Sequence, residues 1–130
     1  MKKGRETIAT DGAPAAIGPY SQAVRAGNFL FLSGQIGLDP ASGKMVPGGV
    51  REQTARVLEN MKAVLAAAGL GINDVVKANV YMKDLSAFGE MNAVYAEVFK
   101  EPYPARAAVG VKDLPKGALV EIEAIAMAGD

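Results

Sequence analysis

Two carboxylates, a guanidinium and a hydroxyl beside a glycine are the groups whose spacing could do chemistry in this chain. Glu121 and Glu123 lie two apart in Val120-Glu-Ile-Glu-Ala-Ile-Ala-Met127. On a strand rising ~3.4 Å per residue, both leave the same sheet face about 7 Å apart. The pair is open to two readings, a solvated strand face or a poised base. Ile125 and Met127 continue the same face and argue against a simply wet one. A carboxylate partly withdrawn from water has a raised pKa and can accept a proton near neutrality.

Arg106 stands in Pro104-Ala-Arg-Ala-Ala-Val109, a guanidinium among small and apolar residues. Such an arginine needs an anion: either a sheet carboxylate in a structural salt bridge, or a ligand carboxylate held by the bidentate fork. Ser33-Gly-Gln35 ends an apolar run and offers a hydroxyl next to a backbone that a ligand could approach closely, though a turn would use the same residues. Tyr20 follows Gly18-Pro19, where it could wall a pocket or pack into the core. Asn92 interrupts an apolar helical stripe, which solvation alone could explain.

The chain has 130 residues, one domain's length, with half of them apolar and 22% charged. It contains no cysteine and no histidine, so disulfides, thiolate nucleophiles, Ser-His-Asp triads and Cys/His zinc sites are excluded. Fourteen basic and fourteen acidic residues cancel, which disfavours nucleic acid and anionic lipid as partners. Met1 to Pro14 lacks the apolar run of a signal peptide and no stretch is long enough to span a membrane, so a cytoplasmic protein is expected.

Two motifs fail on inspection. Gly37-Leu-Asp-Pro-Ala-Ser-Gly-Lys44 has five residues between its glycines where a phosphate loop has four, and Met45 replaces the metal-binding hydroxyl. Gly69-Leu-Gly71 follows a helical pattern and lacks a third glycine in register. Both are read as turns.

The elements that must position these groups follow from periodicity. Glu6 to Ala9 is a short edge strand. Ala23 to Ala26 and Phe29 to Ser33 flank Gly27-Asn28, a two-residue hairpin turn. Phe29-Leu-Phe-Leu32 is apolar on both faces and therefore central. Gly34 to Gly49, rich in glycine and proline, reads as a loop. Val50 to Ala68 repeats at helical spacing, with Glu52 four residues before Arg56 and Gly69 at the C-terminus. Val76, Ala78, Val80 and Met82 alternate with polar residues as a strand. Phe88 to Phe99 forms a second helix, and Ala105 to Val111 and Ala118 to Met127 are strands around Leu114-Pro-Lys-Gly117. The order predicts one α+β domain over residues 1–130, with a mixed sheet of about six strands covered on one face by two helices. The other face must meet solvent or another subunit.

These stretches together resemble the RidA family, the reactive intermediate deaminases also called the YjgF family. The resemblance runs through Ile17-Gly-Pro-Tyr-Ser-Gln22, Leu32-Ser-Gly-Gln-Ile36, Asn60-Met-Lys-Ala63, Ala67-Ala-Gly-Leu70 and Val80-Tyr-Met-Lys-Asp-Leu85. It is most specific from Pro104-Ala-Arg106 to Val120-Glu-Ile-Glu-Ala124. It implies a chorismate-mutase-like fold assembled as a homotrimer, with three sites between subunits. The implied activity is that of a 2-iminobutanoate/2-iminopropanoate deaminase, which hydrolyses 2-imino acids and enamines such as 2-aminoacrylate to 2-keto acids and ammonia, without cofactor or metal, in metabolite damage control. Carried onto this sequence, Arg106 matches the carboxylate-binding arginine and Glu121 the carboxylate that orients the water. Ser33 with Gly34 match the small polar pair lining the site, Tyr20 the aromatic wall and, more loosely, Asn92 an asparagine near it. The sequence departs from the pattern at Ala108, where many members carry a cysteine. A non-catalytic ligand-binding or regulatory trimer, and a ribonuclease or translation inhibitor, are the rival expectations within the same resemblance.

Overall fold

The computed structural model describes residues 4–129. Within these residues eight strands and α-helices follow in the order β1 (Arg5–Ile8), β2 (Ala23–Ala26), β3 (Phe29–Gln35), α1 (Val50–Ala67), β4 (Val75–Met82), α2 (Phe88–Val98), β5 (Ala105–Gly110) and β6 (Val120–Met127). The six strands form one sheet in the order β1-β2-β3-β6-β4-β5. Only β4 and β5 pair in parallel, with α2 as their crossover, so the sheet is mixed as expected. β1 is an edge, and Gly27, at φ +60°, turns the β2–β3 hairpin.

Both helices cover one face. From α1, Val57, Leu58, Met61, Val64 and Leu65 are fully buried at three- and four-residue intervals, against Leu30, Ala78, Val80, Ile122 and Ala126 of the sheet. Emptying one such position, as in Leu58→Ala, costs about 2–5 kcal/mol. Glu52 does not reach forward to Arg56 as its spacing predicts. It accepts the Gly49 N–H at 2.8 Å and satisfies the open helix N-terminus, while Arg56 donates to Asn60 Oδ1 at 3.0 Å. At the other end Gly69 takes φ +77°, and Arg25 Nη2 donates to the Ala68 carbonyl at 2.5 Å.

Three other expectations need correction. A register shift between Val75 and Lys77 turns Val75 into the core and leaves Val76 exposed, so the alternation of β4 starts one residue differently from the sequence pattern. Gly34 and Gln35 belong to β3 and not to the loop after it. β6 begins at Val120, because Pro115–Gly117 form a 3₁₀ turn with Lys116 in the left-handed region (φ 55°).

The helix-free face carries Glu121, Glu123, Ile125 and Met127 of β6, Tyr81 and Asn79 opposite them on β4, and Val109 of β5. Phe29 and Phe31 of β3 share it while Leu30 and Leu32 are buried on the helix face, and β3 lies inside the sheet between β2 and β6, the central place its apolar run predicts. Phe29, Phe31, Val109 and Met127 are each 42–45% exposed, a large apolar area for one chain to leave open. Among the described residues no helix is long and apolar enough to cross a membrane.

Candidate active site

A bulge brings the first group of candidate residues together. Leu32 pairs with Ala124 and Gln35 with Ile122, so Ser33 and Gly34 together oppose the single residue Glu123. The Ser33 N–H donates to the Gln22 carbonyl at 3.0 Å and its Oγ donates to the Ser21 carbonyl at 2.6 Å. A carbonyl can only accept, so the one hydroxyl proton is committed there and Ser33 shows lone pairs to its surroundings. Glu121 lays its carboxylate against Gly34: a Cβ at position 34 would stand 2.1 Å from Glu121 Oε2. Any side chain at this position would displace the Glu121 carboxylate from its place. These residues floor a groove of about 600 Å³, with Tyr20, Ile17 and Lys116 among its walls. Tyr20 is 54% exposed, so it walls the groove and is no core residue.

The two glutamates share this face and differ in environment. Glu123 accepts from Tyr81 Oη at 2.5 Å and from Asn79 Nδ2 at 3.2 Å. That hydrogen bond is the main reason the Tyr81 phenol is raised above its usual range. Glu121 has no hydrogen-bond partner among the described residues, and burial, followed by the charge of Glu123, raises its carboxyl above the ordinary value. Sequence spacing leaves the two indistinguishable; their neighbours separate them.

Arg106 lies elsewhere. Its register partner Ala78 is a core residue, so Arg106 leaves β5 on the helix face while Glu121, opposite Tyr81, leaves β6 on the other. Of the two readings open to it, the structural salt bridge is not seen: Arg106 is exposed and, among the described residues, forms no ion pair. Nη1 donates to Asn92 Oδ1 at 2.7 Å, and the guanidinium sits 4.7 Å from the centre of the Tyr95 ring and 5.3 Å from that of Phe88. Tyr95 stacks in turn on Phe99 at 4.4 Å. Burial raises its phenol, and the nearby Arg106 charge opposes that rise. Amide and rings orient the fork, and its remaining donors have no side-chain partner among the described residues. This second groove, about 430 Å³, is also lined by Tyr103 and Pro104.

The expected site residues thus fall into two groups in one chain: Tyr20, Ser33, Gly34 and Glu121 in one groove, Asn92 and Arg106 in the other. Sequence reasoning missed Phe88 and Tyr95 as the platform for Arg106. The available signal was their spacing, since positions 88, 92 and 95 share one face of α2 and Asn92 interrupts that face. Ala108, beside Val80 on the helix face, packs partly buried against the core. Among the described residues no group of three or more acidic side chains is arranged to hold a metal ion.

Comparison with known proteins identifies the family and the fold. Residues 10–128 match the family model described as Endoribonuclease L-PSP. The mouse 2-iminobutanoate/2-iminopropanoate deaminase is 51% identical over 125 residues, covering 96% of this chain and 93% of that protein. The crystal structure of RidA from an Antarctic Psychrobacter superposes with a TM-score of 0.91 at 52% identity, covering 94% of this chain and 98% of that one. Escherichia coli TdcF, solved with bound serine, gives a TM-score of 0.90 at 44% identity over 95% and 99% of the two chains. With the family pattern running through residues 10–128 and whole-chain relatives at this level of identity, the protein belongs to the RidA/YjgF/L-PSP family.

Proposed function

We propose that this protein is a hydrolytic deaminase of 2-imino acids and their enamine tautomers, releasing 2-keto acids and ammonia, and that it works as a homotrimer with each site shared between subunits. The observation that carries the chemistry is Glu121: an unpartnered carboxylate with a raised pKa, held over a glycine in an open groove beside the acceptor oxygen of Ser33. An imine carbon is already electrophilic, so hydrolysis needs a positioned water, a proton acceptor and fixation of the substrate charge. A chain without histidine or cysteine can supply all three.

In this reading Arg106 grips the C1 carboxylate and Ser33 accepts from the substrate nitrogen. Glu121 takes a proton from the water that adds to C2. That carboxyl passes the proton to the imine nitrogen as the carbinolamine forms. The restored carboxylate then takes the carbinolamine hydroxyl proton and delivers it to nitrogen as the C–N bond breaks, so both water protons end on nitrogen and one imine and one water give one keto acid and one ammonia. The bound serine of the E. coli relative, a 2-amino acid, is of the same size and charge class.

The split between the two grooves supports the assembly. C1 and C2 are bonded neighbours in the substrate, yet Arg106 and Glu121 leave opposite faces of one sheet. They converge on one small molecule only if a second subunit brings its Arg106 to the Glu121 groove. The exposed Phe29, Phe31, Val109 and Met127 give such an interface its apolar centre. An RNA substrate is disfavoured by a groove in which Lys116 faces Glu121 and Glu123, in a chain of zero net charge.

Generating imines with an L-amino-acid oxidase and following 2-keto-acid formation tests the activity: a rate above that of spontaneous hydrolysis, proportional to added protein, is expected. Light scattering at micromolar concentration tests the assembly, and a stable monomer would remove the shared site.

A further inference from the structure

Gln22 is 4% exposed, and no step of the chemistry above uses it. Its Oε1 accepts the Thr10 N–H at 2.6 Å, and its Nε2 donates to the carbonyls of Pro14 at 2.8 Å and Thr10 at 3.0 Å, with that of Ala13 at 3.3 Å. An amide offers two donors and one carbonyl, so the side chain is saturated by the main chain of residues 10–14 alone. Those residues open the connection from β1 to β2, which contains no strand or helix. Its continuation supplies Pro14, Ala15, Ile17 and Tyr20 to the groove wall.

The backbone around Gln22 faces the opposite way. Its own carbonyl takes the Ser33 N–H and the preceding carbonyl, of Ser21, takes the Ser33 hydroxyl. One residue therefore links the irregular part of the wall to the strand that bears the site. An irregular segment of this length is entropically costly to hold, and a buried, fully satisfied amide can hold it in one arrangement.

We propose that Gln22 is a positioning residue for Ser33: by clamping residues 10–14 it fixes the Ser21–Gln22 main chain, which keeps Ser33 a hydrogen-bond acceptor. The kinetic arm of its test rests on the deaminase reading; the exchange arm does not. Gln22→Met keeps the length and removes every polar contact. In that variant the Ser33 amide exchanges at least about tenfold faster with solvent deuterium, while the Ile122 amide of β6 keeps its wild-type rate. The value of kcat/KM for imine hydrolysis falls by about tenfold, the worth of one misplaced hydrogen bond.

A double-mutant cycle with Ser33→Ala separates positioning from general damage. If Gln22 acts through Ser33, adding Gln22→Met to Ser33→Ala costs little more, whereas a merely structural role gives losses that multiply. Should Gln22→Met fail to fold, Gln22→Glu, which keeps the shape and the acceptor for Thr10, carries the same measurements. Unchanged exchange at Ser33, or multiplicative losses in the cycle, overturns the proposal. If the wild-type protein hydrolyses no imine, the functional reading falls and the exchange result alone decides the role of Gln22.

Discussion

Tyr81 donates its hydroxyl to Glu123 at 2.5 Å, and among the described residues the neighbouring Glu121 is left without a partner on the same sheet face. One carboxylate is thereby tied into the sheet by Tyr81 and Asn79 and the other is free to handle a water. Glu121→Gln keeps the shape and removes the base. Its turnover is expected to fall by about 10²-fold, the lower end for general-base catalysis, because imines also hydrolyse unaided. Glu123→Gln retains an acceptor for Tyr81 and loses far less. Steady-state kinetics on the two variants checks this, and equal losses would show that the wrong carboxylate has been assigned.

Gly34→Ala tests the same carboxylate from the other side. The backbone at Gly34 is not left-handed, so alanine meets no conformational penalty there, but its Cβ would stand 2.1 Å from Glu121 Oε2. The end of a flexible side chain yields before the sheet does. The expected result is a folded protein with a melting temperature close to wild type and turnover reduced as in Glu121→Gln. A large loss of stability with turnover intact would mean that the sheet gives way instead.

Much of the fold is legible in the sequence because burial on one face writes itself as periodicity. The α1 stripe from Val57 to Leu65 and the alternation Val120, Ile122, Ala124, Ala126 are visible without coordinates. What escapes is where the register breaks. The bulge at Ser33-Gly34 and the shift at Val75 each displace one residue, and nothing local marks them apart from a glycine in one case. The split site escapes for another reason. Period two puts Glu121 and Glu123 on one face, yet the face taken by Arg106 depends on how β5 registers with β4, a long-range pairing. The partners that give Arg106 its orientation come from α2, through contacts that spacing within β5 cannot express.

Arg106→Lys should impair hydrolysis nearly as badly as Arg106→Ala, with kcat/KM down more than about tenfold in both. Lysine carries the charge, but it cannot lie flat over the Tyr95 ring while bonding Asn92 Oδ1 and two carboxylate oxygens at once. Kinetics with the smallest imine isolates the carboxylate grip from side-chain contacts. Near-full activity in the lysine variant would reassign Arg106 as a structural cation.

The raised carboxyl of Glu121 sets the sign of two pH dependences. As a base it works only when ionised, so kcat/KM rises with pH through its pKa, and that acid limb lies above the ordinary value of 4.5 because burial and the charge of Glu123 hold the proton on. In Glu121→Gln the limb disappears. Stability runs the other way. Between 4.5 and the raised value the folded chain binds more protons at this position than the unfolded chain, so its contribution to stability falls as pH rises through that window and stays low above it. The Gln variant has no charge to bury. Its melting temperature should exceed that of the wild type at about pH 8, and the gap should close near pH 4, below both values. Thermal melts of the two proteins across this range, beside their pH–rate profiles, measure both effects. An acid limb shared by both proteins would assign the titrating base to another residue, and a gap that widens toward acid would contradict the burial of the Glu121 charge.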